Sequence, residues 1–345
     1  MADEQIRVGL IGAGGNVRAR HIPGFLGVED CEIVAVANRT VESGRTIADQ
    51  FNIPKVYGNW RELLEDDSIN AVCIGTWPYM HRTMTLAALE AGKHVLTEAR
   101  MANDAAEARD MLNASRAHPD LVCQLTPTST SYTIDNVLKR LIDDGYLGEL
   151  LSVDFTSLQN NFADRDSPLH WRQDRALSGH NTLNIGASYE SMMRWLGRGN
   201  RVIAMSKVHV PYRQDEKGHL TSVTIPDHID ILYELANGAQ VHMQMSATSG
   251  LNGGNHIWMF GTEGTIHVDP QRRVWAGMRG DSELAEVPNP PETQARYRVE
   301  EQFTNAIRGK EQVDMVAFET GVHYVEWTEA VYRSAMTGQA VYLPL

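Results

Sequence analysis

Between residue 6 and about residue 126, short apolar runs rich in β-branched residues alternate with stretches whose apolar positions recur at helical spacing. Thr40 has the chemistry of a cap for a helix that runs to Phe51, and a second helical stretch ends at Gly92. Strands that alternate with helices form parallel sheets. The pattern therefore predicts a doubly wound α/β domain with strands at 6–11, 32–38, 71–76, 94–97 and 121–126.

The pattern changes after a helix predicted at 135–143 and ended by Gly145. Apolar residues then alternate with period two, and Asn237-Gly238 is a strong hairpin signal because both residues tolerate positive φ. We predict an α+β domain with a mostly antiparallel sheet, one face of which is buried through Val241 and Met243. Its predicted features are strands at 151–157, 202–208, 228–235 and 240–246, an exposed loop at 281–292 and helices at 300–309 and 321–338.

These patterns place a first domain at residues 1–126 and a second domain at residues 127–345. The chain carries 31 Lys and Arg against 44 Asp and Glu, a net charge of −13 that disfavours nucleic acid and anionic membranes as partners. The sequence has no apolar run of membrane-spanning length and no secretory pattern at its start, so we expect a cytoplasmic protein. Cys31, Cys73 and Cys123 are expected to be buried free thiols.

A glycine-rich segment links the first strand to a helix. Gly12, Gly14 and Gly15, followed by Asn16, allow the backbone to approach a pyrophosphate at the start of that helix. The alternative is a plain tight turn. Val17 stands where a third Gly or Ala is usual, and we expect it to widen the spacing between helix and strand.

The end of the second strand bears on the choice of cofactor. An Asp or Glu usually grips the adenosine ribose of NAD at this point, but this chain has Asn38 and Arg39. Arg39 is suited to stack on adenine or to pair with a 2′-phosphate. The sequence therefore predicts NAD(P) binding and favours NADP over NAD, the alternative being a solvated arginine.

From Ala91-Gly92-Lys93-His94 to Glu98, the chain resembles the glucose-fructose oxidoreductase, inositol dehydrogenase and MocA (Gfo/Idh/MocA) family. The resemblance extends through Thr76 to His81, Trp171-Arg172, residues 183–197 and Gly261-Thr262-Glu263-Gly264. It implies a nicotinamide-binding domain, a second domain whose open sheet often makes oligomer contacts, and a sugar or cyclitol substrate. Further cofactor-binding residues that it implies are Thr76, Trp77, Pro78, His81, Glu98, Trp171 and Arg172.

The chain departs from the family pattern where that pattern places its proton carriers. Glu98 is followed by Ala99-Arg100 instead of Lys-Pro, and Asn184, Ser188 and Ser191 fill the usual Asp, His and Asp positions. Since hydride transfer from a hydroxyl also needs a proton acceptor, the chemistry must be relocated, altered or lost.

Three residues are candidates for the missing chemistry. His180 is the first, because imidazole titrates near neutral pH, although a histidine held in a loop is an equal alternative. Tyr189 is the second, with helix core as its alternative, and Arg100 offers a cation for an anionic group, with a surface salt bridge as its alternative. A metal site at His228, Asp230, His242 and His256 is disfavoured because the histidines lack ligand spacing.

The leading hypothesis is an NAD(P)-dependent oxidoreductase that acts on a hydroxyl of a sugar, glycoside or cyclitol by hydride transfer. The first alternative is a redox-neutral lyase, glycosidase or epimerase, in which the same cofactor is oxidised and reduced within one turnover. The second alternative is a non-catalytic dinucleotide or sugar sensor. We expect a homodimer or homotetramer, because an uncovered sheet exposes apolar surface.

Overall fold

The computed structural model describes residues 5–128 and 131–345, which divide into two compact units. The first unit contains residues 5–127 and 298–325, and the second contains residue 128, residues 131–297 and residues 326–345. The division near residue 127 lies beside the predicted boundary. Residues 298–325 group with the first unit, although the sequence pattern assigned them to the second domain.

The first unit is built on a parallel sheet. Within the described residues this sheet has six strands in the order β3-β2-β1-β4-β5-β6. Its strands are β1 (Ile6–Ile11), β2 (Cys31–Ala37), β3 (Lys55–Tyr57), β4 (Ala71–Ile74), β5 (His94–Thr97) and β6 (Cys123–Leu125). Its helices up to residue 128 are α1 (Ile22–Leu26), α2 (Val41–Phe51), α3 (Trp60–Leu64), α4 (His81–Glu90) and α5 (Ala105–Ala117).

The five predicted strands are all present, and the doubly wound arrangement is confirmed. Thr40 caps α2 by accepting a hydrogen bond from the Ser43 N–H at 3.2 Å. The sequence pattern missed β3, which has only three residues, and α3, which has only five. Elements this short contain too few apolar positions to establish a period.

The second unit begins with α6 (Tyr132–Asp143) and continues into a second sheet. In the described part of the chain this sheet has nine strands in the order β16-β15-β14-β13-β7-β12-β11-β8-β17, and β7 pairs with β12 in parallel while the other pairs are antiparallel. The other elements up to residue 297 are β7 (Leu150–Leu158), α7 (Arg175–Ser178), α8 (Ile185–Leu196), β8 (Gly199–Lys207), β9 (Tyr212–Gln214), β10 (Leu220–Ser222), β11 (His228–Leu235), β12 (Gln240–Ser246), β13 (His256–Gly261), β14 (Gly264–Val268), β15 (Val274–Met278) and β16 (Ala285–Glu286).

The predicted hairpin joins β11 to β12, and Val241 and Met243 are completely buried on one face. Only Gly238 has a positive φ, +90°, whereas Asn237 accepts a hydrogen bond from the Ala239 N–H at 3.1 Å. The turn therefore uses glycine for its left-handed position and the asparagine side chain for a backbone donor.

The last part of the chain contains α9 (Val299–Ile307), α10 (Phe318–Thr337) and β17 (Val341–Tyr342), so both predicted helices are present. The segment predicted as a loop at 281–292 is largely irregular, but it also contributes β16, which pairs with β15. Cys31 and Cys73 are buried as expected, and Cys123 is only partly buried. Across residues 5–128 and 131–345, no helix combines the length and apolar character that crossing a bilayer requires.

Candidate functional site

The glycine-rich segment turns sharply at the end of β1. Gly12 has φ +83°, and a Cβ there would lie 2.7 Å from Thr76 Cγ2 and 2.9 Å from the Thr76 backbone nitrogen. A Cβ on Gly14 or Gly15 would meet nothing within 4 Å. The first glycine is therefore needed for the turn, whereas the next two leave open space in front of the helix start, as a pyrophosphate requires.

Val17 is accommodated by a glycine on the neighbouring strand end. Val17 is buried, and a Cβ on Gly75 would lie only 2.2 Å from Val17 Cγ2. Residues Val17–His21 form a π-helical turn before α1. The larger side chain at this position is thus matched by the absence of a side chain at residue 75.

A cleft of about 660 Å³ in the first unit lies at the ends of β1, β2 and β4. Six of the residues predicted to bind cofactor line it, while Gly15, Asn16, Pro78, His81 and Glu98 lie outside its lining. The six that line it are Gly12, Gly14, Asn38, Arg39, Thr76 and Trp77.

Asn38 and Arg39 have different roles at the end of β2. Asn38 Oδ1 accepts a hydrogen bond from the Ala13 N–H at 2.7 Å, so this side chain braces the glycine-rich segment. The guanidinium of Arg39 lies over the Trp77 ring, 5.0 Å from its centroid. Arg39 is exposed, and the cleft is also lined by Thr40 and Ser43.

His81 connects two strand ends from a fully buried position. Its Nδ1 lies 2.7 Å from the Arg100 carbonyl oxygen, and its Nε2 lies 3.0 Å from the Thr76 carbonyl oxygen. Burial lowers the pKa of His81, although both carbonyls oppose this. His81 therefore positions the loops after β4 and β5. Pro78 is buried beside it at the start of a short 3₁₀ turn.

Sequence reasoning missed a buried charge cluster behind the glycine-rich segment. His21 Nε2 lies 2.8 Å from Glu98 Oε1, His21 Nδ1 is hydrogen-bonded to Glu300, and Asn16 donates to Glu98. Burial opposes protonation of His21, but the two carboxylates outweigh it and raise its pKa to about 9. Although burial alone would raise the pKa of Glu98, its contacts with His21 and Asn16 lower it. The cluster thus holds Glu98 ionised at the end of β5.

Trp171 and Arg172 belong to the second unit, unlike the other predicted cofactor residues. The guanidinium of Arg172 lies 4.3 Å from the Trp171 ring centroid. In the 3₁₀ turn that carries them, His170 Nδ1 accepts a hydrogen bond from the Arg172 N–H, and Gln173 Oε1 accepts one from the His170 N–H.

His180 lines a pocket of about 250 Å³ in the second unit, named here the His180 pocket. Its ring stacks on Tyr332, with centroids 4.2 Å apart and planes 12° apart. Arg175 Nη1 lies 3.4 Å from His180 Nδ1, which makes Nδ1 the acceptor and places the proton of the neutral ring on Nε2. Sequence reasoning missed Arg175 and Tyr332.

The backbone beside His180 is unusual. Gly179 has φ +66°, and Leu183 and Asn184 have φ of +46° and +66° in succession. A left-handed conformation is uncommon outside glycine, asparagine and aspartate, so Leu183 is held by its surroundings. The Gly186 N–H donates to Asn181 Oδ1 at 2.9 Å, which fixes this loop against α8.

The other catalytic candidates occupy different surroundings. Tyr189 is buried in the core, stacked on Trp327 at 4.2 Å, and its hydroxyl accepts the Gly199 N–H at 2.9 Å. Burial raises the pKa of Tyr189 to about 12. This is the core role that the alternative interpretation described. Arg100 is a buried residue of the first unit, and Ser191 bonds to Ser131 at 3.0 Å.

The histidines considered for a metal site lie on the polar face of the second sheet. His228 Nε2 is 3.0 Å from Asp230 Oδ2, and His242 Nε2 is 3.6 Å from Asp230 Oδ1. His256 instead contacts His267, with 3.0 Å between ring nitrogens. In residues 5–128 and 131–345 no group of three or more His, Cys, Asp or Glu is arranged to hold a metal ion.

The first unit fits a nicotinamide dinucleotide. The positive φ of Gly12, the open space at Gly14 and Gly15, and a cleft that continues to Arg39 and Trp77 match a pyrophosphate with an adenosine beyond it. When bound, nicotinamide supplies or accepts a hydride. Fold and site thus define a dinucleotide-binding protein of the α/β class.

Family comparison makes the assignment specific. A family model described as "oxidoreductase family, NAD-binding Rossmann fold" matches residues 6–126. A second model, of the GFO/IDH/MocA C-terminal domain, matches residues 136–267. The chain belongs to the GFO/IDH/MocA family of NAD-binding oxidoreductases, as the sequence motifs indicated.

Two curated relatives are similar over most of the chain. Levoglucosan dehydrogenase of Pseudarthrobacter phenanthrenivorans is 28% identical over 297 residues, 78% of this chain and 75% of that protein. The trans-1,2-dihydrobenzene-1,2-diol dehydrogenase of Sus scrofa is 28% identical over 240 residues, 69% of this chain and 67% of that protein.

Solved structures share the fold. Levoglucosan dehydrogenase in complex with NADH and L-sorbose has a TM-score of 0.83 at 23% identity, covering 98% of this chain and 99% of that one. An oxidoreductase domain protein from Kribbella flavida has a TM-score of 0.86 at 21% identity, covering 99% and 100%. The expected architecture of a Rossmann domain followed by a domain with a mostly antiparallel sheet is therefore confirmed.

Proposed function

We propose that this oxidoreductase is a dehydrogenase that oxidises a hydroxyl on a sugar, glycoside or cyclitol with NAD(P). The observation that carries the proposal is the 28% identity, over most of the chain, to enzymes named for levoglucosan and for a ring 1,2-diol. Both names describe the dehydrogenation of a hydroxyl-bearing compound. They favour net oxidation over a redox-neutral reaction or a sensor without catalysis.

In this proposal the first unit holds the cofactor and the His180 pocket holds the substrate. His180 accepts the hydroxyl proton at Nδ1 once the substrate displaces the Arg175 Nη1 contact from that atom, a role left open because Ala99, Asn184 and Ser188 stand where the family motif has proton carriers. Tyr332 fixes the ring plane by stacking.

Steady-state kinetics on a sugar panel test this proposal. We expect net formation of reduced nicotinamide with wild-type protein and a kcat roughly 10²–10⁴ lower for His180→Asn, while dinucleotide affinity stays unchanged. His219→Asn is the matched control, because that side chain is exposed elsewhere in the second unit. Full activity of His180→Asn would rule out this proton acceptor, and turnover without net reduction would identify a redox-neutral enzyme.

We also propose that the enzyme prefers NADP to NAD. Support comes from the end of β2, where Arg39 and the hydroxyl-bearing residues Thr40 and Ser43 line the cleft. A cation and hydroxyls suit a 2′-phosphate. Arg39→Ala should weaken NADP binding by about 1–3 kcal/mol and spare NAD, as measured by calorimetry, while Arg45→Ala changes neither. Equal losses for both cofactors would contradict this preference.

We propose a homodimer or homotetramer assembled through the second sheet. Because Val241 and Met243 are buried, the face available is the opposite one, where Ile203, Met205 and Leu232 are 43%, 78% and 56% exposed. Ile203 and Leu232 are paired neighbours on β8 and β11, so they form an apolar patch within the face that also carries Asp230 and His242. Light scattering should give a multiple of 38.5 kDa, and Leu232→Arg should shift the protein toward monomer. A wild-type monomer at micromolar concentration would contradict this.

We propose a cytoplasmic location. Cys31, Cys73 and Cys123 are free thiols, which is compatible with a reducing compartment. Fractionation of the source cells tests this, and recovery outside the cytoplasm would contradict it.

A further inference from the structure

Arg175, at the start of α7, projects its guanidinium along the wall of the His180 pocket. Its centre lies 4.2 Å from the Tyr332 ring centroid, and Nη2 donates to the Thr224 carbonyl oxygen at 2.5 Å. Its backbone N–H donates to Thr224 Oγ1 at 2.8 Å. These contacts hold the guanidinium in one orientation, with Nη1 next to the His180 ring.

The positive charge of Arg175 lacks a carboxylate partner within the described residues. Its neighbours there are a carbonyl, an imidazole and an aromatic ring. Arg194, in the same unit, shows the usual arrangement, with Asp135 at 3.1 Å and Glu190 as partners. Burial lowers the pKa of Arg175, and only Tyr332 opposes it. A partly buried cation without a counter-charge is costly unless a ligand supplies one.

The rest of the pocket suits a small polyhydroxylated molecule. Thr182, Ser206 and Thr224 place hydroxyl groups among its lining residues, and Val208, Pro226 and Ile229 supply apolar surface. A volume of about 250 Å³ suits a monosaccharide-sized ligand rather than a disaccharide.

We propose that the substrate is a sugar acid, whose carboxylate pairs with Arg175 in the His180 pocket. This inference rests on the proposed dehydrogenase function and narrows its substrate class. Because Nη1 is 3.4 Å from the His180 ring, a carboxylate on the guanidinium brings the neighbouring hydroxyl of the ligand close to the imidazole. Among the residues that line the pocket, Arg175 carries the one permanent positive charge. A single cation matches a monoanionic carboxylate better than a dianionic phosphate.

Calorimetry on matched ligands tests the proposal without relying on turnover. The probes are glucuronate and galacturonate with their amides, glucose, and glucose 6-phosphate, each titrated into protein with and without NADP. We expect at least one acid to bind 10–100-fold more tightly than its amide, as one charge-assisted contact provides. Arg175→Met should remove this preference, Arg175→Lys should retain part of it, and Arg165→Met, an exposed change of equal charge in the same unit, should leave it intact.

Each outcome of the calorimetry either supports or overturns the sugar-acid proposal. Acids that bind no better than their amides, tighter binding of the phosphate, or a preference that survives in Arg175→Met would overturn the sugar-acid proposal. Turnover of neutral sugars without any acid preference would overturn it while leaving the dehydrogenase intact. Failure of the protein to bind NAD or NADP would instead overturn the proposed dehydrogenase function, regardless of how tightly the sugar acids bind.

Discussion

Two cations in the two units have opposite surroundings. In the first unit, the completely buried His21 lies between Glu98 and Glu300. In the second, the partly buried Arg175 faces a pocket and has no carboxylate partner among the described residues. A buried charge is stable only when it is paired. In the first unit, Glu98 and Glu300 supply the counter-charges for His21. In the second, the counter-charge for Arg175 comes from the proposed ligand.

This difference separates a structural cluster from a binding site. His21 fixes Glu98 and, through it, Asn16 at the helix start, so its effect on the cofactor is indirect. Arg175 is oriented by Thr224 and Tyr332 toward open volume, so its effect on a ligand is direct. The two residues should therefore respond very differently to removal of their charge.

The largest expected effect on stability is that of replacing His21. His21→Leu leaves two carboxylates without their shared partner and should lower the free energy of unfolding by about 3–5 kcal/mol in urea titrations. His209→Leu is the control, because that side chain is 45% exposed and should cost under about 1 kcal/mol. Similar losses for both variants would show that the buried cluster contributes little.

The same cluster predicts a pH dependence of stability. The pKa of His21 rises from 6.5 in the unfolded chain to about 9 in the folded one, so its contribution is complete below pH 6.5 and is lost as pH rises through 9. The loss should be about 3 kcal/mol. Urea unfolding between these pH values measures it, with His21→Leu as the control that lacks the slope. Parallel curves for the two proteins would contradict the prediction.

Gly12→Ala comes next. The new Cβ would lie 2.7 Å from Thr76 Cγ2 at a φ of +83°, so strain and overpacking together should cost roughly 2–3 kcal/mol. Cofactor affinity should fall as the turn moves. Gly27→Ala is the control, because it has a negative φ and its nearest neighbours are 3.5 Å away. Unchanged stability and affinity in Gly12→Ala would show that the turn tolerates a side chain.

The sequence predicted most of the first unit because its signals are local. β1 and β5 have the predicted bounds, and the turn at Gly12 follows from a motif within a few residues. Local patterns say nothing about His21 and Glu300, which are 279 residues apart. The cleft was therefore predictable, and the cluster behind it was not.

The second unit shows the same limit more strongly. The alternation of apolar and polar residues predicted β11 and β12 with their observed bounds. It gave no indication that Arg175 and His180 contact Tyr332 on α10. Leu183 has no intrinsic preference for the left-handed conformation that it adopts. A pocket made from separate segments depends on tertiary packing, which periodicity does not encode.

The smallest expected effect on stability is that of Arg175→Met. Methionine retains the packing against Tyr332 but removes a cation that has no carboxylate partner in the described chain, so lost hydrogen bonds and relieved desolvation offset each other. The free energy of unfolding should change by less than about 1 kcal/mol. Arg194→Met, which strips Asp135 and Glu190 of their partner, should cost about 3–5 kcal/mol in the same urea titration. If Arg175→Met destabilised the protein as much as Arg194→Met, Arg175 would belong with His21 as a structural cation, and the contrast between the two units would fail.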